Sequence, residues 1–198
     1  LVKYISFLMV ISFIPLLAIG FISYQVSSRT IQQNESDFSH ALIKVQKENL
    51  KLELDQVENL IANISGVEEI TNVLNDIGST VDAYTNMATQ ARIGYILNGY
   101  LHLEGLVSID IFTNGGAHYH VGETLDVEFI NSTSLELITR EALNSDRQTY
   151  WAGMVPNVNL SSNHSYVLSA ARILSKIERQ SLINRPIGVL LVNFSIEH

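Results

Sequence analysis

Two histidines, His118 and His120, stand two residues apart in the stretch Ala117-His-Tyr-His-Val121. On a strand such a spacing points both imidazoles to one face, where they can address one ion. Two ligands do not complete a zinc site, however, and spacing identifies no third. The pair is therefore expected to face solvent or pack loosely, and no metal and no cofactor is expected. Asp110 and Arg172 lie in two further strand-like stretches, Leu106–Thr113 and Ser165–Ser175. Carboxylate and guanidinium on one sheet can clamp the two ends of a small zwitterion. They can equally pair with each other, or occupy solvated strand positions. Tyr166 shares the Arg172 face with Leu168 and Ala170 by alternation. Tyr150 and Trp151 are adjacent and point oppositely, so only one can line a given pocket, and a lone Trp serves as readily as a core anchor.

Catalytic patterns are missing from the chain. There is no G-x-S-x-G, phosphate-binding loop, G-x-G-x-x-G or H-E-x-x-H. Gly115-Gly116 belongs to a turn. The absence of cysteine excludes thiol catalysis, thiolate metal sites and a disulfide scaffold. No enzyme activity is expected of this segment.

The elements that must position these residues read as α+β. Leu106–Thr113 alternates, with Val107, Ile109 and Ile111 on one face and Ser108, Asp110 and Phe112 on the other. Asn114-Gly115 predicts a type I′ hairpin turn, and 117–121 the returning strand. A helix is predicted over 133–144, with Ser132 or Thr133 as N-cap and Glu136 closing a capping box. Three strands follow, over 149–155, 165–175 and 186–195. Upstream, Ile31, Phe38, Val45 and Leu52 recur every seven residues, as do Ile43, Leu50, Val57 and Ile64. These series predict a long helix over 27–76 with a kink near Gly66, a short helix over 67–74 beyond it, and a further helix over 81–101. Its apolar stripe can pair with a second copy of the chain, pack on its own sheet, or do each over one half. The whole predicts a five-stranded antiparallel sheet with its helices on one side.

Charge and hydropathy set the surroundings. The chain has 198 residues, 46% hydrophobic and 16% charged, with net charge −8. Residues 1–29 carry only Lys3 and Arg29, so the acidic excess lies entirely in the remainder. An acidic body repels phosphate backbones, which argues against nucleic acid as a partner. Tyr4–Val26 contains no charge. As a helix, these residues span roughly 35 Å, enough to cross a bilayer. The run is longer than the apolar region of a signal peptide, and no A-x-A pattern follows it. It predicts a membrane helix over 4–26, with residues 1–3 as a cytoplasmic stub because of Lys3. The bulk of the chain then lies outside the cytoplasm.

A membrane helix, a long emerging helix and a five-stranded sheet resemble the extracytoplasmic double Cache sensors of bacterial receptors. Glu141-Ala-Leu-Asn144, Tyr150-Trp-Ala-Gly153, Tyr166-Val-Leu-Ser-Ala-Ala-Arg172 and Arg185-Pro-Ile-Gly-Val-Leu-Leu-Val-Asn193 carry the resemblance. They are most similar to the PAS-like distal module in sensor histidine kinases, here residues 77–198. The order Arg147-Gln-Thr-Tyr150-Trp151 departs from the Arg-x-Trp-Tyr pattern of amino-acid-binding members. The resemblance implies a small-molecule-sensing input region of a cell-membrane receptor, homodimeric through its long helix. A cyclase or chemoreceptor can carry the same input, and a dimerisation module without a ligand is the rival. Position in the hairpin and the resemblance add Tyr119 and Trp151 to the candidates. Asp110, Tyr119, Trp151, Tyr166 and Arg172 are thus expected to line one cavity on the sheet face away from the long helix.

Overall fold

The computed structural model describes residues 2–68, 70, 71, 74, 83–177 and 184–195, with side chains from Phe13 on the first helix and from Met87 on the second. Helix α1 runs Val2–Ser65, α2 Ala83–Asn98 and α3 Ser132–Asn144. The strands are β1 Leu106–Thr113, β2 His118–Gly122, β3 Tyr150–Pro156, β4 Tyr166–Ile177 and β5 Asn184–Phe194. They form one antiparallel sheet in the order β2-β1-β5-β4-β3. The chain divides into two compact units, Leu1–Leu54 and Asp55–His198.

In the first unit, the described apolar side chains of α1 are exposed, from Phe13 through Ile31, Phe38, Ile43 and Val45 to Leu52. Among the described residues no helix is long and apolar enough to cross a membrane. Side chains 2–12, which hold Lys3 and much of the Tyr4–Val26 run, lie outside the described residues.

In the second unit, the last turns of α1 are core. Val57, Leu60, Ile61 and Ile64 are spaced to make one stripe, and all four are buried. They pack with Ile93 and Leu97 of α2 against Ile109, Ile111, Leu190, Val192 and Phe194 of the sheet. The helix ends at Gly66, whose amide donates back to Ala62 O at 2.9 Å. Positions 68, 70, 71 and 74 of the predicted short helix are helical. The rest of that stretch, with residues 81 and 82 of the next predicted helix, lies outside the described residues.

Three expectations need correction. Helices cover both faces of the sheet, because Ile138 and Ala142 of α3 pack on Ala171, Val189 and Leu191, opposite α1 and α2. Ala171, Val189 and Leu191 make part of the second face of β4 and β5 apolar as well, and that part needs a cover. The N-cap of α3 is Asn131, whose Oδ1 accepts from the Ser134 amide, so Ser132 and Thr133 lie inside the helix. The β1–β2 turn is three residues long, Asn114 to Gly116, rather than two, since the Thr113 amide donates to Ala117 O at 2.9 Å. Thr113 Oγ1 accepts from the Ala117 amide at 2.9 Å, and the left-handed position falls on Gly116, at φ 84°. This last difference shifts the hairpin register by one residue.

Candidate functional site

The shifted register determines what Asp110 meets. A two-residue turn at Asn114-Gly115 would pair Thr113 with Gly116 and hence Asp110 with Tyr119. The observed register pairs Asp110 with His120, Phe112 with His118, and Ile111 with Tyr119. A slip of one residue exchanges the faces of a strand. Tyr119 therefore packs in the core with Ile111 and Val121 on the α1 face, and burial raises its phenol pKa. The two histidines instead converge on Asp110 across the α3 face.

That convergence builds a dense polar cluster in the sheet. Asp110 is 2% exposed. Its Oδ1 lies 2.9 Å from His118 Nε2 and 2.6 Å from His120 Nδ1. Its Oδ2 accepts from Ser108 Oγ at 2.7 Å and from Asn193 Nδ2 at 3.4 Å. Asn193 Nδ2 also reaches Ser108 Oγ, and its Oδ1 accepts from Ser169 Oγ, which extends the network to β4. His120 Nε2 donates to Thr124 O at 2.8 Å, and the His118 ring stacks on Phe112 at 4.2 Å. The histidines are thus held, not loosely packed: the side chains of His120 and His118 are 5% and 18% exposed. Burial pushes the Asp110 carboxyl up, but the bonds from His118, His120 and Ser108 and the charge of His120 outweigh it and hold it below 3.8. Burial likewise disfavours the His120 cation, yet its bond and charge attraction to Asp110 raise it above 6.5.

The structure does not gather the five candidates into one cavity. Asp110 lies on the α3 face, whereas Tyr119, Trp151 and Arg172 belong to the α1 face. Tyr119 on β2 and Trp151 on β3 sit at opposite edges of the sheet, roughly 19 Å apart at the usual strand spacing. Tyr166 and Arg172 are separated along β4 by about 20 Å of extended chain, and Tyr166 is 54% exposed. Trp151 is half-buried, and its indole Nε1 donates to Glu58 Oε1 of α1 at 3.0 Å. No Asp110–Arg172 ion pair forms, because the two stand on opposite faces.

Arg172 lines a separate cleft of about 620 Å³. β3 pairs with β4 only as far as Tyr150 opposite Ala171, so β4 runs on from Arg172 without that neighbour. Beside this edge the cleft takes Arg147 and Gln148 from the approach to β3, Asn184 from β5, and Ser65 and Thr71 from the end of α1 and beyond it. Two guanidiniums and several amide and hydroxyl groups suit a small anion such as a carboxylate. Arg147 and Ser65 were not among the expected site residues, since neither lies on an alternating strand.

No family model matches the sequence, and no curated protein matches it. Among solved structures, the fold is similar to the ligand-binding domain of the Campylobacter jejuni chemoreceptor Tlp3, determined with L-norvaline. The identity is 16% and the TM-score 0.41, over 78% of this chain and 59% of that one. The chain thus spans about three-fifths of the length of that structure.

Proposed function

We propose that the chain is the small-molecule-sensing input region of a membrane-bound signal-transduction receptor, with the cleft at Arg172 as its ligand site. One observation carries this reading: the cleft is walled both by the sheet and by Ser65 at the very end of α1. A ligand that bridges Arg172 or Arg147 and the helix end prefers one placement of that end over another. Such a preference is the requirement for a ligand to shift a conformational equilibrium. The Trp151–Glu58 bond and the buried Val57–Ile64 stripe support reading the last turns of α1 as part of the sensing core rather than a tether.

The membrane assignment rests on the uncharged Tyr4–Val26 run, and the extracytoplasmic side on Lys3. The exposed residues Ile31, Phe38, Val45 and Leu52 keep heptad spacing, which supports a homodimer through this half of α1. The resemblance of the β3–β5 motifs favours a histidine kinase as the output, and a chemoreceptor or cyclase would use the same input. The segment itself performs no chemistry in this reading. The cleft geometry points to an anionic ligand. With Asp110 on the far face, the zwitterion clamp does not form.

The test is a thermal-shift panel of amino acids, dicarboxylates and sugar acids on the full chain in nonionic detergent. A ligand at 100 times its dissociation constant adds about 2.7 kcal/mol of stability. Arg172→Ala should weaken its binding by about 1.5–3 kcal/mol, roughly 10- to 100-fold, through a lost charge-assisted bond. A panel without one stabilising compound contradicts the reading, as does a hit that Arg172→Ala and Arg147→Ala leave unaffected.

A further inference from the structure

We infer that Asp110, His118 and His120 form a binding site for a divalent first-row transition-metal ion, with Zn²⁺ the best fit. The site lies on the α3 face and is separate from the cleft at Arg172. One ligand atom from each of the three residues lies within 4.8 Å of the others. In a tetrahedral zinc site with bonds near 2.0–2.1 Å, ligand atoms stand about 3.3 Å apart. The observed 2.9 and 2.6 Å from Asp110 Oδ1 to the two ring nitrogens need to open by less than about 1 Å to admit the ion.

The hydrogen bonds around the three ligands are those a metal site requires. Thr124 O can only accept, so His120 Nε2 carries a proton. In the neutral imidazole, Nδ1 then presents its lone pair straight at the lone pairs of Asp110 Oδ1, 2.6 Å away. Either a second proton or a cation must lie between them. A ligating histidine that donates its other N–H to a backbone carbonyl is the usual outer-shell arrangement, and it fixes the tautomer. Ser108 and Asn193 hold Asp110 through Oδ2, which leaves Oδ1 directed at the histidines. Stacking on Phe112 at 9° fixes the plane of the His118 ring.

The donor set chooses the ion. Two imidazole nitrogens and one carboxylate oxygen suit zinc, cobalt, nickel or copper, whereas calcium and magnesium take oxygen ligands. The 18% exposure of the His118 side chain leaves the ion a route from solvent and a fourth position for water. Binding would tie together β1, β2 and the segment at Thr124 beyond β2.

The full chain in nonionic detergent, stripped with EDTA and dialysed, is titrated with Zn²⁺ by calorimetry and with Co²⁺ by visible absorption. The expected result is one saturable equivalent, with ligand-field bands of four-coordinate Co²⁺ and no thiolate charge transfer, since the chain has no cysteine. His118→Gln should weaken binding by more than the roughly 10–100-fold that an outer-shell change such as Ser108→Ala costs. Asp110→Asn should do the same, but Asp110 is deeply buried. His118→Gln is therefore the deciding variant, its metal-free melting curve serving as the check on folding. His40→Gln and His102→Gln, both at exposed positions, should bind as the parent does. The inference is overturned if the parent shows no saturable equivalent, if a folded His118→Gln keeps the parent affinity, or if Mg²⁺ competes as well as Zn²⁺.

Discussion

Ile61 has no solvent exposure, and it lies where the last turns of α1 meet α2 and the sheet. Ile61→Ala removes its apolar contacts and leaves a cavity that helix and sheet can only partly close. Such a truncation costs about 2–5 kcal/mol. Taking about 3 kcal/mol, a domain of this size should lose roughly 6–12 °C in melting temperature. The assay is urea unfolding followed by the emission of Trp151, the only tryptophan, whose indole is bonded to Glu58 of the same helix. The midpoint should fall without a change in slope, independently of protein concentration. Phe38 makes the contrast, being 70% exposed in the first unit. Phe38→Ala should leave the Trp151 transition within about 0.5 kcal/mol, while weakening any self-association of α1. If Ile61→Ala unfolds at the parent midpoint, the end of α1 is not part of the sensing core and the proposed signalling route fails.

In the presence of EDTA, the His120–Asp110 pair should make stability depend on pH. The His120 pKa is raised above 6.5 by folding, so its contribution is complete below that pH and is lost as pH rises through the folded value; the Asp110 pKa is lowered, so its contribution persists until pH falls below about 3.8. Melting curves from pH 5 to 9 should show the advantage of the parent over Asp110→Asn shrinking above pH 6.5, and a constant difference would count against the pair. Gly188→Ala should cost about 1–3 kcal/mol, because its Cβ would sit 2.5 Å from the Phe112 carbonyl oxygen; an unchanged urea midpoint would show that β1 and β5 yield easily there. Trp151→Phe and Glu58→Ala, measured by circular dichroism, should be non-additive by about 0.5–1.5 kcal/mol, and strict additivity would remove the bond between helix and β3.

The strands were legible because alternation and β-branching are local signals, and all five appear within a residue or two of their expected ends. The α1 stripe was legible for the same reason, and its two halves do differ in burial. The site was less legible because it depends on register. Ser108 with Asp110 and His118 with His120 can each be placed on one face by alternation alone. Whether those two faces coincide depends on the length of the turn between them, which the side chain of Thr113 helps to set. Asn114-Gly115 suggests the shorter turn, and one residue of error substitutes Tyr119 for His120 opposite Asp110. Trp151 and Arg172 were hidden differently. Their companions depend on the strand order and on where β3 stops, and the register shift beside Gly153, at φ 75°, further separates β3 from simple alternation. The cleft at Arg172 also draws on Ser65 and Arg147, which no strand pattern connects.

The claim that occupancy of the cleft is communicated to α1 can be tested by cross-linking, since the chain has no native cysteine to interfere. Phe38→Cys is introduced into the full chain in membranes, and disulfide formation is followed with and without a carboxylate that the thermal-shift panel shows to bind. The expected result is a cross-linked dimer whose yield changes on ligand addition, and an unresponsive yield when Arg172→Ala is added. A ligand that binds while the yield of cross-linked dimer stays the same, or a chain that forms no cross-link at all, would contradict sensing through the long helix.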